Sequence, residues 1–155
     1  MLLYDFFQLD RPFDDVAPVL AGGESWLGPL ADEATADGRA LQVRIGLSDG
    51  PWSPGKQFRV TLGEPYERDG MIAVPMRWEA TGPKGLFPLL TGDLEIVRLG
   101  PDCTHVALQA RYEPPLGSLG RLLDRNLLHH VAESSIRSFL RRLEAVLLAA
   151  QVGIA

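Results

Sequence analysis

Apolar and polar positions alternate with period two through the middle of the chain and shift to helical spacing near its end. From Leu116 to Ala150 the apolar residues Ala132, Ile136, Phe139, Leu140, Leu143, Val146, Leu147 and Ala150 recur three, four and seven apart. That is the spacing of one helix face. No Pro interrupts the stretch, and after Gly117 and Gly120 the next Gly is Gly153. Arg137, Arg141 and Glu144 fall on the opposite side. A continuous helix of this span would be roughly 50 Å long at 1.5 Å per residue, so it needs a broad surface to lie on.

The preceding segments offer that surface. Leu2 to Leu9 is aromatic and aliphatic and predicts a first strand, which Asp10-Arg11-Pro12 ends. Pro12 suits the first turn of a helix, with Asp10 as a cap and Asp14 and Asp15 near its positive end. That helix, about Pro12 to Leu20, stops at Gly22-Gly23. A second short helix starts at Glu24 or Ser25, runs through Trp26, Leu27 and Leu30, and fades near Gly38. Five strands follow. Ala40 to Ser48 places Leu41, Val43, Ile45 and Leu47 on one face, and Lys56 to Gly63 places Phe58, Val60 and Leu62 together. Met71 to Ala80 aligns Ile72, Val74, Met76 and Trp78, with Arg77 and Glu79 opposite. Pro88 to Leu99 aligns Leu90, Leu94 and Ile96, and Thr104 to Tyr112 aligns Val106, Leu108, Ala110 and Tyr112. Arg68-Asp69-Gly70 marks a hairpin turn. Pro75 cannot donate to a ladder, so an edge or bulge belongs beside it. Short connections predict antiparallel pairing, and one apolar face per strand predicts a sheet covered on a single side. The fold class is α+β: a curved antiparallel sheet wrapped around the final helix, with a cavity between them.

Composition narrows the function classes. The 155 residues suit one domain, 1–155, with a real core. A net charge of −5 argues against a phosphate-backbone binder, and the arginines between Arg121 and Arg142 are interrupted by Asp124, Glu133 and Glu144. The single Cys103 excludes an intrachain disulfide and a thiolate cage, and its strand context predicts a small, buried or half-buried side chain. No run approaches ~18 uninterrupted apolar residues, so no transmembrane segment is expected. The first ten residues lack a basic region, so no signal peptide is expected and the cytoplasm is the default.

Candidate chemistry is sparse. His129 lies on or beside the apolar face of the long helix, four residues before Glu133, which is four before Arg137. This is either a polar anchor at the cavity or a surface charge series worth a few tenths of a kcal/mol per pair. His130 points roughly 100° away, and His105 sits on the polar face of its strand, so no metal-ligand spacing arises. Phe58, Met76, Trp78 and Tyr112 face the concave side, where they line a pocket for a flat or greasy molecule or simply pack a core. Trp26 and Trp52 either rim an entrance or cap that core. Gly22-Gly23 lacks the spacing and Lys of a phosphate loop, and no cofactor is expected.

The order strand, two short helices, strands, long helix resembles the helix-grip fold of the START and birch-pollen-allergen superfamily, SRPBCC. In detail the resemblance rests on Tyr112-Glu113-Pro114-Pro115-Leu116-Gly117 with Leu119 to Asp124 and His129 to Ser134, and on Pro75 to Gly82 with Leu86-Phe87-Pro88. These are similar to the sheet and the junction to the final helix in small bacterial members of unknown function. The resemblance implies a cavity between sheet and C-terminal helix that holds a small hydrophobic, lipid- or polyketide-like ligand. Its candidate lining is Phe58, Val60, Val74, Met76, Trp78, Leu94, Leu108, Tyr112 and His129. It carries over no catalytic motif. The alternatives are a polyketide cyclase- or dehydratase-like enzyme using His129, Tyr112 or Arg77, and an interaction module, such as a homodimer through the Arg-bearing helix face.

Overall fold

The computed structural model describes residues 1–22, 26, 58–80, 89–113 and 125–150. Its elements run β1 (Leu2–Leu9), α1 (Phe13–Gly22), β2 (Phe58–Leu62), β3 (Tyr66–Arg68), β4 (Met71–Ala80), β5 (Leu89–Gly100), β6 (Cys103–Glu113) and α2 (Arg125–Ala149). The six strands form one antiparallel sheet in the order β1-β6-β5-β4-β2, with β3 also on β4. The expected strand at 40–48 and most of the second short helix lie outside the described residues, as does the stretch from Leu116 to Asp124; Trp26 itself is helical.

Local chemistry explains the strand ends. Asp69 and Gly70 both have positive φ, 52° and 77°. They make the two-residue turn that suits the twist of the β3–β4 hairpin. β2 and β3 share one edge of β4 and are separated by Gly63-Glu64-Pro65. Pro75 sits opposite that break, and its carbonyl accepts from Gly63 N at 2.8 Å. Its missing N–H therefore falls where the neighbouring strand is interrupted, as the sequence requires.

Alternation puts Leu3, Phe7, Leu9, Val74, Met76, Leu90, Leu94, Ile96, Val106, Leu108, Ala110 and Tyr112 on the inner face, all buried. α1 covers this face over β4, β5 and β6 with Val16, Ala17 and Leu20, while α2 lies along β1 and reaches β6. Ile136, Phe139, Leu140, Leu143 and Leu147 of α2 are buried in the same cluster. Ala150, assigned to this apolar face by spacing, is exposed just past the helix end.

Three contacts hold α2 along β1. The Met1 sulfur meets His129 Nδ1, Asp5 Oδ2 lies 3.8 Å from Arg137 Nε, and Arg11 Nη1 donates to Leu147 O at 3.1 Å. Arg11 is itself held, because the Thr104 hydroxyl donates to its carbonyl at 2.8 Å. A cation on an unsatisfied carbonyl at a helix C-terminus is favourable both as a hydrogen bond and against the helix dipole. Arg11→Ala is expected to lower the free energy of unfolding in urea by about 1–2 kcal/mol.

Candidate functional site

Register brings the candidate residues together more closely than shared faces alone. Met1 and Tyr112 exchange backbone bonds, Met1 N to Tyr112 O at 3.0 Å and Tyr112 N to Met1 O at 2.8 Å. Tyr112 opposes Leu90, Leu90 opposes Trp78, and Trp78 opposes Val60. One cross-sheet row of the inner face therefore reads Met1, Tyr112, Leu90, Trp78, Val60. His129 joins its end through Met1.

The next row inward holds Leu3, Ala110, Gly92, Met76 and Leu62. Its centre is small. A Cβ on Gly92 would lie 2.1 Å from Gln109 O and 2.6 Å from Ala110 Cα. The β5 and β6 backbones close on each other there on the inner side, which curls the sheet, and only a hydrogen fits between them. The row beyond contains Leu108, Leu94 and Val74, each fully buried.

Trp78 is half-buried, and its ring meets Phe139 of α2 edge-on at 5.9 Å. Leu62 and Ile72 are likewise only partly buried, on the side of the inner face away from β1. Trp26 is fully buried, so it belongs to the core and not to an entrance. Its Nε1 donates to Leu20 O at 3.2 Å, and its ring meets Phe139 at 6.4 Å. Phe58 and Val60 occupy β2 opposite Ala80 and Trp78, while their side chains and Trp52 lie outside the described residues.

Burial pushes the Tyr112 phenol above its ordinary value of 10.0. Desolvation disfavours the phenolate, so the hydroxyl stays a donor across the physiological range. The unfolded chain releases this proton at lower pH than the folded one. The corresponding stability is complete below about pH 10 and declines as pH rises through the higher folded value. Melting temperature should therefore fall more steeply above about pH 10 in the parent protein than in Tyr112→Phe.

His129 is turned toward α2's own surface. Its Nε2 lies 3.0 Å from Glu133 Oε1, and His130 Nδ1 lies 3.8 Å from the other oxygen of that carboxylate. Arg137, the third member of the expected series, reaches back to Asp5. The alternation of β1 puts Asp5 on the inner face among Leu3, Phe7 and Leu9. A charge at an apolar position opposite a helix arginine is a signal that the sequence held. His105 lies on the outer face beside Phe6, with ring centroids 4.9 Å apart. Cys103 is half-buried at the start of β6. Among the described residues no group of three or more His, Cys, Asp or Glu is placed to hold a metal, and no described helix is long and apolar enough to cross a membrane.

The outer face carries a groove of its own, about 720 Å³, open to solvent and lined by Leu2, Thr61, Pro75, Arg77, Thr91 and Arg111 among others. Sequence reasoning did not anticipate it, because it treated that face as a solvated surface.

No known family profile and no curated protein matches the chain. Solved structures do. A conserved protein from Geobacillus kaustophilus superposes with a TM-score of 0.56 at 12% identity, over 97% of each chain. It shares the fold with this protein, an α+β architecture of curved antiparallel sheet and C-terminal helix. A Thermus thermophilus protein gives 0.47 at 17% identity, covering 97% of this chain and 99% of that one. An aromatase/cyclase from a Streptomyces species gives 0.44 at 11% identity, covering 100% and 96%. These last two lie below the level at which a shared fold follows.

Proposed function

We propose that this chain is a helix-grip protein of the SRPBCC type that binds a small hydrophobic molecule between the inner sheet face and α2. The supporting observation is the cross-sheet row. Val60, Trp78 and Tyr112 share it with Leu90, and the Ala110–Gly92 pair beside it supplies the least side-chain bulk on the inner face. The ligand lies over Ala110 and Gly92, stacked on Trp78, with the Tyr112 hydroxyl as its polar contact. Met76, Val74, Leu94 and Leu108 form the apolar floor, and His129 stands at the β1 end. An apolar pocket with one or two oriented polar groups is the usual design of such a site.

Titration with anilinonaphthalene sulfonate, followed by tryptophan emission, tests this. Saturable one-to-one quenching is expected, with most of it lost in Trp78→Phe. Absence of saturable binding by this probe and by a long-chain fatty acid would contradict the reading.

A second reading, a cyclase- or dehydratase-like reaction on the same inner face, draws on one observation: Met1 brings Tyr112 and His129 to the same end of the sheet. It requires that His129→Ala abolish turnover while leaving probe affinity unchanged.

A further inference from the structure

Four of the large hydrophobic side chains that remain exposed lie in the first six residues: Met1, Leu2, Tyr4 and Phe6. Leu2, Tyr4 and Phe6 point to the outer face of β1 and are 64%, 57% and 50% exposed. A contiguous apolar strip of this kind marks a contact surface.

Pairing along the edge of β1 away from β6, which no strand among the described residues occupies, is opposed by the structure. Met1 uses both backbone groups on β6, so the even residues of β1 present theirs to the edge. At the centre of that edge Phe6 N already donates to Asp5 Oδ1 at 3.0 Å, and Arg137 stands by the other oxygen. A charged side chain over an edge is a known guard against added strands. Among the described residues of β1, the large hydrophobic side chains left exposed for contact are those of the outer face, Leu2, Tyr4 and Phe6.

That face is built as its own complement. The row through Leu2 runs Leu2, Arg111, Thr91, Arg77, Thr61. Two rows away it runs Phe6, Ala107, Glu95, Ala73, Tyr66. A two-fold axis along the row between them, through Tyr4, Gln109 and Asp93, lays each of these rows on the other row of a second copy. Leu2 then meets Phe6. Arg111 and Arg77 come opposite Ala107 and Ala73, the smallest side chains of the facing row. Glu95 arrives over Thr91, between the two arginines and in the outer groove. Across the middle of the row the long arginines oppose alanines and Glu95 opposes the arginines, while Leu2 and Phe6 make an apolar pair at the β1 end. Asp93 falls on the axis and faces its own copy; it accepts from the Tyr66 hydroxyl at 3.2 Å and lies one row from both arginines of each copy.

We infer that the protein associates with a second copy of itself, sheet on sheet, through this outer face. The apolar strip exposes on the order of 400 Å², against about 800 Å² per partner in a standard interface. A strip of this size suits a reversible association, not an obligate one.

Sedimentation velocity from about 5 to about 500 µM tests the inference. A reversible monomer–dimer equilibrium is expected, weakened about tenfold or more by Tyr4→Arg and by Glu95→Arg. Adding Arg111→Glu to Glu95→Arg should recover part of the association. Melting temperatures should be unchanged, because these side chains lie outside the core. A monomer throughout the range overturns the proposal. A dimer indifferent to both single substitutions does so as well. Failure of the charge exchange to recover any association overturns the row pairing.

Discussion

Gly92→Val yields little or no folded protein, and even Gly92→Ala costs upwards of about 3 kcal/mol in urea unfolding. The added Cβ would sit 2.1 Å from Gln109 O and 2.6 Å from Ala110 Cα. Both atoms are backbone, so no rotamer change relieves the overlap, and relief requires β5 and β6 to separate. These are central strands, paired from Leu89↔Glu113 to Gly100↔Cys103. Gly100→Ala is the control, since a Cβ there meets nothing within 4 Å; its effect should stay within about 0.5–1 kcal/mol. A Gly92→Ala variant as stable as the parent would mean that the sheet does not curl at this point.

Leu143→Asp is the second large effect. Leu143 is fully buried on the middle of the α2 stripe, between Leu140 and Leu147. An unpaired carboxylate in that position must be neutralised or drag the helix off the sheet, and either outcome costs several kcal/mol. Because natural domains are stable by about 5–15 kcal/mol, the expected result is loss of cooperative unfolding at neutral pH. Leu143→Ala should cost about 2–5 kcal/mol and remain folded. Parent-like melting of Leu143→Asp would remove α2 from the core.

Elements were legible in the sequence where burial leaves a pattern. β1 and β4 end where the sequence places them: Asp10-Arg11-Pro12 stops the aromatic and aliphatic run of β1, and β4 alternates Ile72, Val74, Met76 and Trp78 against Pro75 and Arg77. β3 escaped notice because Tyr66, Glu67 and Arg68 are all exposed; no alternation exists without a buried face. The break opposite Pro75 was legible, since a residue lacking an N–H forces it. The inner faces of Val74, Met76, Leu94, Leu108 and Tyr112 were legible by parity. That Tyr112 and Trp78 share one row was not, because row membership depends on register. That row runs from β6 through β5 to β4: the irregularity between Arg98 and Gly100 sets the β5–β6 register, and the β4–β5 connection, 81–88, lies outside the described residues. The meeting of His129 with Met1 was hidden as well, since it depends on how far α2 slides along β1.

An apolar ligand on the inner face over Ala110 and Gly92 would touch methyl groups that the outer groove does not reach. Methyl NMR on protein with labelled Met, Leu and Ala side chains, in complex with a long-chain fatty acid, tests it most directly. Ligand-to-protein Overhauser contacts are expected at Met76, Leu90, Leu108 and Ala110. Contacts confined to Leu2 and other outer-face groups, with the inner methyls unperturbed, would contradict it.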